Sequence, residues 1–273
     1  DPTLQEAARC LLVRVLKERK DFEKALDEIA KILNRKGVSK KALLFANLEK
    51  VSIAARDLPT MDDLLNAYSE FFQNSMLGDP TVIFSKTPNF FADFRPEGSG
   101  KDIGCLQNLA VLPDREWSDP AKVRLALASA FLRKDSPKAL EILNSVSPYS
   151  PDQKALLDTL FLKGVLFHHF LPKDMSKNAE KAYAEFRSKT TDIKAYRVAT
   201  ALLGILAAED LKKPAEAAAF FEELGNEDSG RFASVVSSDS LVLKKRWLFL
   251  GSKLAGFVLD SRLNDPVRAR SFF

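Results

Sequence analysis

The chain has few cysteines, histidines and glycines for its length. Its 273 residues include 2 Cys, 2 His and 11 Gly. Cys10 and Cys105 lie far apart, so they do not form the closely spaced ligand motif of a zinc site. Cys10 falls within an apolar run, where a free cysteine packs as a small hydrophobic side chain, although a disulfide or a reactive thiol stays open as an alternative. We therefore expect no bound metal and no other cofactor.

Long apolar runs are also missing. The longest, residues 156–171, is interrupted by Asp158, Lys163 and a histidine pair, and it falls short of the about 18 apolar residues that span a bilayer. It predicts a buried helix. The chain begins at Asp1 with neither Met nor a charged leader, so we expect a processed or trimmed protein, with membrane attachment only through a removed N-terminal lipid anchor. Localisation stays open, with the bacterial periplasm or envelope slightly favoured over the cytoplasm.

An excess of charge of one sign is missing as well. There are 41 basic and 37 acidic residues, which leaves a net charge of +4. A chain so close to charge balance has no general surface for polyanions. Nucleic acid is therefore not an expected partner.

No catalytic motif is complete. The segment from Gly98 to Asp102 lacks the first glycine of a phosphate-binding loop, and Asp102 replaces the hydroxyl residue that would bind Mg²⁺. The adjacent His168 and His169 point about 100° apart on a helix, which disfavours joint binding of one metal. We interpret them as packing at a helix end. The sequence predicts a protein that is not an enzyme, with no catalytic residue.

What the chain does have is a recurring pair of helices. Apolar residues of the first helix, over residues 4–18, are spaced as on one helical face: Leu4, Ala7, Ala8, Leu11, Leu12 and Val15. A polar turn at Asp21 precedes a second apolar helix that Gly37 ends. A helix pair of this kind cannot bury its apolar faces alone, so such pairs stack into an extended all-α array.

The pairs divide the chain into three parts. Residues 1–75 contain two pairs, the second joining residues 39–55 to residues 60–74, and residues 118–273 contain the others, resuming with Asp119-Pro120 as a helix start. Between them, residues 76–117 carry many Gly and Pro and no helical period. Their apolar content is too high for a disordered linker, so we expect an irregular insertion, with short helical turns or a small hairpin, packed on one continuous domain.

The helix pairs resemble tetratricopeptide and Sel-type repeats. Trp247, Leu250 and Gly251 match the first-helix signature W-x₂-L-G of that superfamily, and the second helices carry an Ala four residues before a large apolar residue, as at Ala217 and Phe221. Successive Ala positions are 38–42 residues apart where no insertion intervenes, against ~34 in the standard repeat. The resemblance implies a right-handed superhelical α-solenoid of about six antiparallel helix pairs.

The resemblance also implies where a partner would bind. First helices line the concave surface of such solenoids, and this surface usually holds a peptide or a helix of a protein partner. The residues expected there are Asn47, Lys50, Arg124, Lys163 and Arg197. In the insertion, Phe90, Phe91 and Phe94 form an aromatic cluster that either contacts a partner or fastens the insertion to the solenoid.

Three functions fit these features. The first is a non-enzymatic protein–protein interaction scaffold or assembly subunit, with self-association as a further option. The second is a ligand-binding or transport accessory protein, such as an envelope lipoprotein, whose many Phe residues line an apolar cavity. The third is a helical domain of an enzyme, with chemistry in the insertion or at His168.

Overall fold

The structure is a computed structural model, and it describes residues 2–54, 58, 60–75, 79–85, 103–224 and 241–272. Within these residues all regular structure is helical and no strand is present, as the sequence predicts. In chain order the helices are α1 (Pro2–Glu18), α2 (Phe22–Leu33), α3 (Lys40–Ala54), α4 (Met61–Ser75), α5 (80–85), α6 (Ile103–Ala110), α7 (Arg115–Phe131), α8 (Ser136–Asn144), α9 (Gln153–His169), α10 (Ser176–Lys189), α11 (Ile193–Glu209), α12 (Pro214–Glu223), α13 (Leu241–Ser261) and α14 (Pro266–Arg270), with a 3-10 turn at Lys173–Met175.

Aspartate caps start many of these helices. Asp152 accepts hydrogen bonds from the N–H groups of Lys154 and Ala155, and Asp192 does the same at the start of α11. Each carboxylate accepts from N–H groups that have no partner within the helix, and its negative charge is stabilised by the positive end of the helix dipole. Side-chain chemistry at the turns therefore sets where these helices begin.

One backbone turn recurs after α7, α11 and α13. In each case a residue other than glycine adopts positive φ: Lys134 (55°), Lys212 (55°) and Asn264 (51°). The next residue then donates its N–H to a carbonyl six residues earlier: Asp135 to Ser129, Lys213 to Ala207 and Asp265 to Leu259. This bond is one residue wider than the 6→1 bond of the Schellman motif, and like that bond it satisfies a carbonyl of the last turn of the helix. Three helix pairs in the C-terminal part of the chain thus share one connection.

Three mid-helix glycines mark the closest helix crossings. A Cβ atom at Gly164 would lie 2.5 Å from the Tyr183 ring, and one at Gly204 would lie 2.4 Å from the Phe221 ring. At Gly251 it would meet the Phe221 carbonyl oxygen at 2.4 Å. Each of these crossings joins a first helix to a second helix.

Three apolar clusters lie among the described residues, and one of them joins Leu58 to α6 and α7. Helices α1, α2 and α3 pack on one another around a small core that includes Val13, Ala25, Ile29 and Ala46. A much larger core runs from α4 to α14 and contains Tyr68, Phe161, Phe221 and Trp247, among others. Within that larger part, consecutive helices from α6 to α14 lie side by side.

Helix α4 does not pair with α3, contrary to the sequence-based assignment. The main contacts of α3 are with α1, α2 and α6, whereas α4 lies against α11 and α13. The physical reason is the apolar face of α4, which carries Met61, Leu64, Leu65, Tyr68 and Phe72, all buried. The apolar residues of α3 are spread around the helix, so α3 offers no matching face.

The region predicted as an irregular insertion is partly helical. Residues 80–85 form α5, α6 follows at Ile103–Ala110, and α7 already begins at Arg115. Asp114 caps α7, so Asp119 is not the cap that the Asp119-Pro120 pair predicted; it is buried inside the helix and accepts from Lys122 Nζ at 3.2 Å. In α5, Ile83 and Phe84 are buried in the large core. Residues 86–102, which contain Pro88, Pro96, Gly98 and Gly100, lie outside the described residues.

A Gly251→Ala substitution tests the crossing of α12 and α13. The new Cβ would collide with a backbone carbonyl, which cannot rotate away, so we expect unfolding free energy to fall by about 2–3 kcal/mol. Urea titration followed by circular dichroism measures this. Gly104→Ala is the matched control because a Cβ there meets nothing within 4 Å, and we expect it to be neutral or to stabilise by up to about 1 kcal/mol. Equal effects of the two substitutions would contradict the crossing.

Candidate functional site

Helix α4 lies across four helices in sequence order. We call these helices, α7, α9, α11 and α13, the inner row. From Leu58, three residues before α4, to Phe72 near its end, successive positions contact successive helices of the row. The contacts are Arg124 Nη2 to the Leu58 carbonyl oxygen at 3.1 Å, Lys154 Nζ to Asp62 Oδ1 at 3.1 Å, Lys194 Nζ to Asn66 Oδ1 at 2.7 Å, and the Trp247 ring to the Phe72 ring at 6.1 Å between centroids.

Aromatic rings fill the space beneath α4. Tyr68 meets the edge of Phe161 at a centroid distance of 6.1 Å and stacks with Phe72 at 6.2 Å. In α5, Phe84 packs against Phe221 and Phe257. Edge-to-face pairs of this kind add to the burial of apolar area. An apolar ligand would therefore find this space occupied by the protein's own side chains.

An open cleft remains where α4 begins. Its volume is about 230 Å³. The lining residues come from the start of α4, from α7 and from the start of α9: Thr60, Met61, Asp62, Pro120, Val123, Arg124, Leu127, Asp152, Lys154, Ala155 and Asp158. The floor is apolar, and charged side chains surround it. This combination is typical of a small binding site.

Opposite charges meet at the rim of the cleft. Lys154 Nζ lies 3.0 Å from Asp158 Oδ2 and 3.1 Å from Asp62 Oδ1. Burial raises the pKa of Asp158 to about 6, and the Lys154 ammonium offsets this only in part. Burial opposes the charge of Lys154 too, but Asp158 and Asp62 outweigh it and raise the Lys154 pKa. Asp158 is thus a carboxylate that takes up a proton in mildly acidic solution.

A capping box fixes the α4 end of the cleft. The Thr60 hydroxyl accepts from the Asp63 N–H at 3.1 Å, and the Asp63 carboxylate accepts from the Thr60 N–H at 2.8 Å. Reciprocal bonds of this kind hold a helix start in one orientation. The cleft therefore has a rigid wall, and it has both a cationic and an anionic side.

The structure places the predicted contact residues in different environments. Arg124 lines the cleft, Lys50 is exposed on α3, and Lys163 is half-buried on α9, where burial lowers its pKa. The position of Asn47 lies on α3, but its side chain is outside the described residues, as are Phe90, Phe91 and Phe94 entirely. Of the predicted contact residues that the structure describes, Arg124 is the one that lies at the candidate site.

Arg197 requires a correction. It was expected on an open concave surface, but its side chain is only 2% exposed. Helix α11 is covered by α4, α10, α12 and α13, so nearly all of its length is buried. In this fold Arg197 is a residue of the protein interior and not a surface contact.

The sequence analysis did not identify Lys154 and Lys194 as contact residues of α4. Both stand two residues after an aspartate cap, in the repeated pattern Asp-x-Lys-Ala at residues 152–155 and 192–195. A cap followed by a lysine at this spacing places the ammonium beside the start of a first helix. The repetition of this pattern in two helix pairs was the signal that could have identified them.

The histidine pair lies inside the molecule. The two rings stack at a centroid distance of 3.9 Å, the His168 side chain is 3% exposed, and its Nε2 lies 3.5 Å from Asp210 Oδ2. Burial lowers the pKa of His168 to about 3, so the ring is neutral near pH 7. Among the described residues, no three His, Cys, Asp or Glu side chains are grouped closely enough to hold a metal ion. In the same part of the chain no helix is both long and apolar enough to cross a membrane.

Asp158→Asn tests the raised pKa in the cleft. The folded pKa of about 6 exceeds the unfolded value near 4, so the folded state binds the extra proton and the aspartate costs stability above pH 6. We expect the variant to gain about 1 kcal/mol over the wild type at pH 7.5 and nothing at pH 4. Urea titrations at both pH values measure the difference. A gain that is the same at both pH values would contradict the assignment.

His168→Phe tests the lowered pKa of the buried histidine, which changes stability with pH in the direction opposite to that of Asp158. The folded pKa lies below the unfolded value of about 6.5, so the unfolded state binds more protons and the stability from this group is lost as pH falls below 6.5. Between pH 7 and pH 5 this lowers the wild-type unfolding free energy by about 2 kcal/mol. His169 is buried beside it and its pKa is lowered as well, so we expect urea titrations at the two pH values to show a fall in the variant that is smaller by about 2 kcal/mol. A fall of equal size in the variant would show that His168 is accessible to protons in the folded state.

Comparison with known proteins found no relative. No family model matches the chain, and neither a curated protein nor a solved structure matches it significantly. Membership of the tetratricopeptide-like superfamily therefore stays a prediction from the residues themselves.

Proposed function

We propose that this protein is a non-enzymatic protein–protein interaction scaffold built as an α-solenoid of stacked helix pairs. The recurrent positive-φ turn supports this, because three pairs use the same connection. The glycine crossings at Gly164, Gly204 and Gly251 support it too, since they recur in the first helices of successive pairs. Stacked pairs of this kind present long surfaces that suit binding to other proteins.

The observation that carries the proposal is the seating of α4 on the inner row. One amphipathic helix is held by apolar side chains from below and by Arg124, Lys154 and Lys194 along its length. This is the way in which grooves recognise helices in general. The inner row thus has the shape and the chemistry of a helix-binding surface, although α4 occupies most of it.

The partner binds, in this proposal, at the cleft beside the start of α4. Here the cleft opens between α4, α7 and α9 of the inner row, and the largely buried Val123, Leu127 and Ala155 form part of its floor. A volume of about 230 Å³ accommodates one or two side chains of a partner segment. An apolar side chain fits the floor, and the polar groups of the segment meet Arg124, Lys154 and Asp158 at the rim.

Site-specific photocrosslinking tests this site. A photoreactive phenylalanine analogue replaces Asp62, whose side chain is 67% exposed at the rim, and the control carries the analogue at Val267 on α14, which is 81% exposed. In cells that naturally produce the protein, we expect a discrete crosslinked product from position 62 that position 267 does not give. Absence of a product at position 62, or the same products from both positions, would contradict the site.

Charge reversal then tests the role of the rim. Lys154→Glu places a second negative group beside Asp158 and Asp62, so we expect recovery of the crosslinked product to fall about tenfold. Lys138→Glu is the matched control, since Lys138 also pairs with a carboxylate on its own helix but lies away from the cleft. If both reversals have the same effect, the contact depends on net charge and not on the cleft.

A further inference from the structure

Helix α1 turns much of its apolar surface away from the protein. Val13 is fully buried against α2 and α3. The residues that form the apolar stripe in the sequence point the other way: Leu4, Leu11, Leu12 and Val15 are 69%, 64%, 42% and 38% exposed. The stripe that predicted a core-facing helix is thus largely on the outside.

The charged residues of α1 are directed towards its own neighbours. Arg9 Nη1 bonds Glu28 Oε2 of α2 at 2.8 Å, and Lys17 Nζ bonds Glu49 Oε2 of α3 at 2.7 Å. The Arg14 guanidinium lies 5.3 Å from the centre of the Phe45 ring. A helix that faces water on one side shows the reverse arrangement, with apolar residues inside and charges outside. The outer face of α1 is therefore built to be covered.

The spacing of the outer face is that of a coiled-coil seam. Leu4, Ala8, Leu11 and Val15 are separated by four, three and four residues, and all four are exposed. This is the alternation of d and a positions in a heptad, with Leu at d and Val at one a position, a combination that favours two strands. Such a seam is complementary to an identical seam related by a two-fold axis.

The size of the patch agrees with a pair of identical chains. Its exposed apolar side chains amount to on the order of 400 Å², within the about 300–600 Å² of the largest patch on a typical monomer, which is often a functional surface. Because homodimer interfaces are about 65% apolar, a contact that buries this patch would cover about 600 Å² on each copy. That approaches the about 800 Å² per partner of a standard interface.

We infer that the outer face of α1 is the contact surface between two copies of this chain. The two α1 helices pack along Leu4, Ala8, Leu11 and Val15, and each small core of α1, α2 and α3 is extended by the helix of the other copy. This inference depends on α1 alone, and it would stand if no partner bound at the cleft.

Sedimentation equilibrium of the whole chain tests the inference. We expect the wild type to have twice the mass of one chain at tens of micromolar, and Leu11→Glu to raise the dimer dissociation constant at least 100-fold, which leaves a monomer. Val267→Glu is the matched control, because Val267 is equally apolar and 81% exposed but lies on α14; it should stay dimeric.

A second variant distinguishes loss of the dimer contact from loss of the fold. Leu4→Glu changes the same seam at a 69% exposed position, so we expect it also to be monomeric, with the thermal midpoint and helical circular dichroism of a folded chain. A monomeric wild type overturns the inference, and so does a dimer that persists in both Leu11→Glu and Leu4→Glu. A monomeric Val267→Glu would place the contact at α14 and overturn it as well.

Discussion

The packing of α4 on the inner row is the interaction on which the large core depends. Its buried side chains, Met61, Leu64, Leu65, Tyr68 and Phe72, each contribute about 1.5–3 kcal/mol when removed from water, so the apolar contribution is on the order of 10 kcal/mol before the loss of conformational entropy. The ion pair of Lys154 and Asp62 is exposed and adds at most about 1 kcal/mol. Apolar burial therefore holds α4 in place, and the lysines and Arg124 set its position along the row.

This arrangement also explains the chemistry of the cleft. Where α4 begins, the apolar cover ends, and Asp158 is left half-buried between α9 and the start of α4. Burial accounts for its raised pKa of about 6. At the same place Lys154 forms ion pairs with both Asp62 and Asp158. Farther along α4 aromatic rings fill the space beneath the helix, whereas the start of α4 leaves a cleft that is open towards α7 and α9.

Particular residues show how far the sequence could predict this fold. The helical period, the Asp caps and the mid-helix glycines are local or nearly local signals, and the helices at α9, α11 and α13 followed from them. The prediction of Asp119 as a helix cap was wrong because an Asp-Pro pair is typical of a helix start, whereas the cap is Asp114, five residues earlier. The prediction of Arg197 as a surface residue was wrong because a charged side chain usually faces solvent. The packing of α4, α10, α12 and α13 around α11 shows that it is buried.

The sequence by itself determined that the chain is all-helical and where most helices lie, because these properties depend on residues near one another in the chain. Only the tertiary structure decided which apolar face meets which partner. Periodicity defines a face on a helix but carries no information about what covers it, so α4 pairs with α11 and α13 instead of α3, and the stripe on α1 faces outward. The same holds for the cleft, since its residues from α4, α7 and α9 are separated by tens of positions and come together only in the folded chain.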